Sequence, residues 1–451
     1  MPQLALTLAD SVTRAGDTLG PEHPSTLTSR NNLAGAYQDA GRLHEAITLY
    51  EQTLDDRTRI LGPRHPDTLT ARNNLATSYR EAGRLDEAIP LHGQTLDDRT
   101  HVLGPHHPGT LASRDNLATA YQTAGRLDEA IPLYEQTLDD RTHVLGPHHP
   151  DTLLSRNNLA TAYQTASRLD EAIPMHEQNL KDFENLLGPH HPHTLTARNN
   201  LALDYHDAGR LDEAIPMHQQ NLKDFENLLG PHHPHTLTAR NNLALDYHDA
   251  GRLDEAIPLF EQSLTNLTHV LGPHHPHTLT ARNNLANAYW HAGRLDEAIP
   301  LFEQTLTDRT RTLGPNHTDT LLSSNNLAGA YWHAGRLDEA IPMLEQTLKD
   351  FENLLGTNHP LTLTTQDNLA IAYRTAGRLD EAIPLFEQTL TDRTRTLGPN
   401  HTDTLTARNN LAGAYRAAGR AEEAEALFET PSDSEDDQDG TEDDPDQETG
   451  D

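Results

Sequence analysis

Cysteine is absent from this 451-residue chain, and aromatic residues make up only 5% of it. Without thiols there is no disulfide framework, no cysteine nucleophile and no zinc–thiolate site. Only 35% of the residues are hydrophobic. That is lean for a compact globule and suits a thin array whose units each bury one face against their neighbours. No stretch approaches the ~18 apolar residues of a membrane span. The opening MPQLALTLADSVTRAGDTLG carries Asp10 and Asp17 in place of the basic leader of a signal peptide. A cytoplasmic protein with no membrane partner is the expectation. Lysine is nearly missing, with Lys181, Lys223 and Lys349 as its three occurrences, so the bases are almost all arginine. Acids outnumber bases 68 to 34, a net charge of −34. Phosphate binding needs a basic surface, so nucleic acid is not the expected partner. The 29 histidines would offset much of that charge near pH 6.

What is present is repetition. Leu-Gly recurs at Leu19, Leu61, Leu103, Leu145, Leu187, Leu229, Leu271, Leu313, Leu355 and Leu397, always 42 residues apart. The stretch LGPHHPHTLTARNNLALDYHDAGRLDEAIP at Leu187–Pro216 returns unchanged at Leu229–Pro258. A fixed period of this size is the mark of a stacked array of one supersecondary unit.

The first full unit shows the design. Pro24-Ser25-Thr26 offers a helix start, and Leu27, Leu33, Ala34 and Tyr37 follow at helical spacing. Gly41 ends this helix A by taking the left-handed conformation. Helix B carries Leu43, Ala46, Ile47, Tyr50 and Leu54 and ends near Leu61-Gly62-Pro63. A proline sits inside helix B at Pro90, Pro132, Pro174, Pro216, Pro258, Pro300, Pro342 and Pro384. With the helix starting at the Leu-Asp of Arg-Leu-Asp-Glu-Ala and Asp86 as its N-cap, that proline falls in the first turn, where its missing N–H costs nothing. The inter-helix glycine is replaced once, by Ser167, at an expected cost of about 1 kcal/mol. Residues 1–20 read as a half-repeat, a cap or the end of a longer parent. Residues 21–429 read as ten tandem 42-residue units, and 430–451 as a disordered acidic tail with eleven acids and no base.

Asn-Asn-Leu-Ala-x-x-Tyr-x-x-x-Gly-Arg-x-x-Glu-Ala closely resembles a tetratricopeptide repeat. The 42-residue period and Leu-Gly-Pro-x-His-Pro linker are similar to the kinesin light chain subclass, in the bacterial form found attached to NB-ARC proteins. The resemblance implies an all-α fold, a right-handed superhelical solenoid of antiparallel helix pairs with helix A on the concave face. Neither a kinesin-type heptad region nor a Gly-x-x-x-x-Gly-Lys-[Ser/Thr] loop occurs in the sequence.

Candidate binding residues follow from the helix-A wheel. Asn32 lies opposite the core arc and recurs as Asn74, Asn116, Asn158, Asn200, Asn242, Asn284, Asn326, Asn368 and Asn410. An amide both donates and accepts, so it can pair with the backbone of an extended peptide, as the resemblance implies. The other reading has it bonding a neighbouring helix and fixing repeat stacking. Its companion Asn31 changes to Asp115 and Asp367 and reads as less constrained. Trp290 and Trp332, on adjacent A helices, are the expected hot spot, with packing between repeats as the other reading. Arg30 and its counterparts Arg72, Arg114, Arg156, Arg198, Arg240, Arg282 and Arg408 fall in the core arc and should pair with a helix-B acid. Ser324 and Gln366 break that series. The histidine loops, such as His190-His191-Pro192-His193, read as linker caps; no metal site or cofactor is expected. Polar groups in about ten near-copies offer no single asymmetric constellation, so no catalytic residue and no enzyme is expected. The function expected is a scaffold holding an extended partner segment in the concave groove. The alternative is the sensor arm of a STAND/NB-ARC-type signalling ATPase whose nucleotide-binding domain lies outside this chain.

Overall fold

The computed structural model describes residues 2–428, with side chains from residue 7 onward, and its chain divides into two compact units. Met1–Arg252 holds α1 (Pro2–Leu19), α2 (Pro24–Asp39), α3 (Leu43–Leu61), α4 (Pro66–Glu81), α5 (Leu85–Leu103), α6 (Pro108–Thr123), α7 (Leu127–Leu145), α8 (Pro150–Thr165), α9 (Leu169–Leu187), α10 (Pro192–Asp207), α11 (Leu211–Leu229) and α12 (Pro234–Asp249). Leu253–Asp451 holds α13 (Leu253–Leu271), α14 (Pro276–His291), α15 (Leu295–Leu313), α16 (Thr318–His333), α17 (Leu337–Leu355), α18 (Pro360–Thr375), α19 (Leu379–Leu397), α20 (Thr402–Ala417) and α21 (Ala421–Ala426). Among the described residues there is no strand. Each unit is a solenoid in which A helices (even numbers) alternate with B helices (odd numbers), every helix packing on the next. The proposed tail at 430–451 lies outside the described residues, and the last helix B, which the sequence suggests for Ala421–Glu429, ends at Ala426 before a turn at Leu427 and Phe428.

The linker folds by local chemistry. His191 is the N-cap of α10, its Nδ1 accepting from the His193 N–H at 3.2 Å while Pro192 occupies the first helical position. Thr194 Oγ1 donates to the Gly188 carbonyl at 2.8 Å. His23, His65 and their counterparts cap in the same way, which is what the sequence suggests for the loop histidines. Helix A ends on Gly41 at φ +73°, with Arg42 N–H bonded to the Tyr37 carbonyl and Gly41 N–H to that of Gln38. Ser167 adopts the same conformation at φ +57°.

Helix B begins at the Leu-Asp step, but the expected cap is corrected. Arg84, not Asp86, is the N-cap of α5. Pro90 is therefore the sixth helical residue and deprives the Asp86 carbonyl of its intrahelical donor, yet the helix runs on unbroken.

The core lies in the seams. Ala34, Ala46, Ile47 and Tyr50 pack with Leu75, Tyr79 and Ala88 of the following repeat as one buried cluster. Each Leu, Ile or Tyr so buried contributes roughly 1.5–3 kcal/mol. The small residues Ala34, Ala46 and Ala88 are fully covered, which lets the helices approach closely. Around this core the Tyr79 hydroxyl donates to Glu51 at 2.6 Å, with the Arg84 guanidinium 4.3 Å above the tyrosine ring. Where Gln219 stands in place of a glutamate, the bond reverses and its Nε2 donates to the Tyr247 hydroxyl.

The arginine column pairs with helix-B acids as expected, except that among the described residues Arg408 meets no acid and bonds the Pro399 carbonyl at 3.5 Å. Arg30–Asp56, Arg72–Asp98, Arg114–Asp140, Arg156–Asp182, Arg198–Asp224 and Arg282–Asp308 are joined at 2.6–2.8 Å. Arg240 departs from this. Its aspartate is replaced in the sequence by Asn266, and its guanidinium, fully buried, reaches Glu226 at 2.8 Å.

Candidate partner-binding face

The asparagines sit mid-helix on the A helices, half-buried except for the exposed Asn32, and most of them form a ladder from repeat to repeat. In the first unit Asn74 Nδ2 donates to Asn31 Oδ1 at 3.2 Å, and Asn116 to Asn73, Asn200 to Asn157 and Asn242 to Asn199 at 2.8–2.9 Å. In the second, Asn326 donates to Asn283 at 3.3 Å and Asn368 to Asn325 at 3.2 Å. Asn284 is also engaged. Each bond spends one amide N–H and leaves the donor residue's Oδ1 for another partner.

Asn32, Asn158 and Asn410 make no such side-chain bond among the described residues. Ahead of Asn158 and Asn410 the acceptor position is Asp115 or Asp367, and these carboxylates turn to Arg141 at 2.9 Å and Arg393 at 2.8 Å instead. Burial pushes both acids up to about 6, against the pull of the arginines. The position read as less constrained is thus either the ladder's acceptor or a buried ion-pair partner. The available signal was that Asp115–Arg141 and Asp367–Arg393 have the same separation along the chain.

Four of the sequence-predicted residues come together in the second unit. Trp290 on α14, Asn326 and Trp332 on α16, and Asn368 on α18 line a cavity of about 170 Å3. Both readings of the tryptophans hold at once. Trp290 meets buried Phe302 edge-on at 6.2 Å and also faces the cavity. Trp332 Nε1 donates to Thr375 Oγ1 at 3.0 Å, and its ring meets His333 edge-on at 4.3 Å. Gly329 makes this possible, since a Cβ there would stand 2.8 Å from Cη2 of Trp290. Where other repeats carry Thr77 or Leu203, this one carries nothing and the indole takes the space. Ile371 supplies the apolar wall beside Trp332. The cavity is therefore lined by both apolar groups and amides, suited to an apolar side chain whose backbone meets the asparagines.

A third feature escaped the sequence reading. His176 and His218, standing where Tyr50 stands in the first repeat, are fully buried and bond Asp204 and Asp246 at 2.6 Å. Asp246 also meets His206 at 2.9 Å. Burial works to raise Asp246, but the bonds from His206 and His218 outweigh it and hold the carboxyl below its ordinary range. The Asp246 bond raises His206 in return. Asp204 and Asp246 occupy a position that is Ala36 or Ala120 elsewhere, and they appear together with the histidines, which was the signal. Among the described residues no three His, Asp or Glu side chains converge as a metal would require. No described helix is long and apolar enough to cross a membrane.

The tetratricopeptide repeat model matches residues 3–59, 25–101, 67–143, 122–180, 151–222, 193–269, 238–311, 277–353, 319–394 and 375–430. The chain belongs to the tetratricopeptide repeat family. It is similar to a Podosopora anserina protein described as a kinesin light chain of nearly identical TPR-like repeats. That likeness has 32% identity over 46% of this chain and 97% of the other, with a TM-score of 0.40. It also matches the quorum sensor NprR from B. thuringiensis in its apo form, at 13% identity over 80% and 97% of the two chains, with a TM-score of 0.52. A Signal Transduction ATPase with Numerous Domains protein from Pyrococcus horikoshii, with a tetratricopeptide repeat sensor, matches at 12% identity over 75% and 51%, with a TM-score of 0.50. No curated protein matches the chain. Tetratricopeptide repeats point to protein–protein interaction, and the repeat fold is typically non-enzymatic.

Proposed function

We propose that this tetratricopeptide array is a non-enzymatic scaffold that holds an extended segment of a partner protein along its A helices. One observation carries the reading: Trp290, Trp332, Asn326 and Asn368 meet around one cavity. The cavity takes an apolar or aromatic anchor, and the asparagine oxygens not used by the ladder accept from the segment's backbone N–H groups. Asn32, Asn158 and Asn410, outside the ladder, have their amide donors available as well.

Trp290 and Trp332 are the protein's two tryptophans, so emission excited selectively at tryptophan, and not at the 12 tyrosines, reports on this site alone. Peptides selected from a random display library should shift the emission on binding. Trp332→Phe together with Asn368→Ala should weaken them by about tenfold or more, the loss of one anchor contact and one hydrogen bond. Selected peptides that leave the emission unmoved and bind the variant equally well would overturn the proposal.

The fold shared with the quorum sensor NprR and with the repeat sensor of the P. horikoshii ATPase favours one further form of this reading, in which the bound segment is a signal and the array a sensor arm. A physical complex with a separately encoded P-loop ATPase, formed or released when the peptide binds, tests that form. A chain that meets no such ATPase in a pairwise binding assay against those of its genome counts against it.

A further inference from the structure

Eight repeats carry an arginine at one position, and in six of them it pairs with the helix-B aspartate. In the second unit Arg282, nearly fully buried, sends one guanidinium nitrogen to Asp308 Oδ2 at 2.8 Å and another to the Pro273 carbonyl at 3.1 Å. Arg72, Arg156 and Arg198 use the corresponding aspartate and proline carbonyl in their own repeats. The slot is thus a tested guanidinium seat: a carboxylate, a carbonyl, and apolar walls around the stem.

One repeat keeps the seat and lacks the arginine. Ser324 stands at the position of Arg282, and its short hydroxyl pairs with Thr347 at 2.7 Å. A cavity of about 580 Å3 opens there, within the roughly 300–1,000 Å3 of small-ligand sites. Both acceptors of the missing group line it, Asp350 in the place of Asp308 and Pro315 in the place of Pro273. Leu321, Tyr331 and Met343 supply apolar wall, and Asp338 and the Arg336-paired Glu339 also line it. The other break in the series is different: Gln366 is itself buried and fills its slot, and Arg395 serves Asp392.

Asp350 has also lost every substitute cation. Asp308 is met by Arg282, His274 and Arg311, and the three corresponding residues around Asp350 are Ser324, Asn316 and Asn353. Asp56, Asp98, Asp140, Asp182, Asp224 and Asp392 each have a cationic side chain within 4 Å. Among the described residues Asp350 has none, and its one side-chain bond is from the neutral Gln346 at 2.9 Å.

We infer that the cavity between α15, α16 and α17 is a binding site for a guanidinium group from outside the chain, seated on Asp350 and the Pro315 carbonyl. The guanidinium belongs either to a small guanidino compound or to an arginine side chain of a partner. This site is separate from the tryptophan cavity and does not depend on the peptide-groove reading.

The test is calorimetric titration of the full chain with N-acetyl-arginine amide, using the citrulline analogue, which is nearly the same shape and uncharged, as comparator. The arginine probe should bind and the citrulline probe should not. Asp350→Asn should weaken binding by about tenfold or more, the usual loss for a charge-assisted hydrogen bond. Ser324→Arg should fill the seat from within, abolish binding and raise the unfolding midpoint. Agmatine and the peptide Gly-Gly-Arg-Gly-Gly then separate the sources: preference for the first assigns a small guanidino compound, preference for the second a partner's side chain. Absence of heat with the arginine probe at millimolar concentration, equal binding of citrulline, or full binding by Ser324→Arg would each overturn the inference.

Discussion

Nδ1 of His176 lies 2.6 Å from Oδ2 of Asp204, and neither side chain reaches solvent. The pair joins α9 to α10, at a seam where Tyr134 of α7 meets the small Ala162 of α8 one repeat earlier. A buried hydrogen-bonded pair of this kind is strongly coupled: removing one member strands the other, whereas replacing both by a well-packed apolar pair relieves both. Nε2 of His176 and Oδ1 of Asp204 are already buried without a partner.

The consequence is a double-mutant cycle with a definite sign. Asp204→Ala alone should destabilise the chain by about 3–5 kcal/mol. His176→Tyr with Asp204→Ala, which copies the neighbouring seam, should restore the urea midpoint to or above that of the parent. If the two single changes simply add, the pair is not coupled.

His92 occupies the equivalent place without an aspartate to meet it. It is buried, neither ring nitrogen has a partner, and burial pushes it down to about 4. A histidine lowered in the fold keeps its contribution above the unfolded value of about 6.5 and loses it as pH falls toward the folded value. Between those limits the unfolded chain binds the extra proton, so acidification should cost roughly 3 kcal/mol at this site. His92→Tyr should remove that part of the acid sensitivity, measured as the urea midpoint at pH 7 and pH 4.5.

The Trp290 indole lies across Gly329, in the space that a Cβ would take. Gly329→Ala should drive the indole from its place at a cost of about 1–3 kcal/mol, the usual range for an overpacked seam. Tryptophan emission should shift to the red while far-UV circular dichroism stays unchanged. An unmoved emission spectrum would mean that the ring is not seated as described.

Ser167 holds a left-handed backbone that glycine adopts without cost. Ser167→Gly should stabilise the chain by about 1 kcal/mol. The gain should appear as a higher thermal midpoint with helical content unchanged.

Much of this architecture was legible residue by residue. Gly41 and its counterparts end the A helices, the loop histidines cap them, and Arg72 finds a helix-B acid, because each of these is set within one repeat. A local miss was the N-cap of helix B. Asp86 looks like an N-cap, but the chain leaving the Gly83 turn is helical from Leu85, so Arg84 takes the cap and Pro90 moves inward.

What depended on neighbouring repeats was read less well. A helical wheel shows Asn32 and its counterparts facing away from their own core, and cannot show that Asn74 donates to Asn31 of the repeat before it. Periodicity, helix pairing and family are written in contacts a few residues apart and repeat ten times over, so sequence alone determined them. Which amides pair, which indole lies over a glycine, and where a lost arginine leaves a cavity depend on the register between packed helices, and only the tertiary structure decides that.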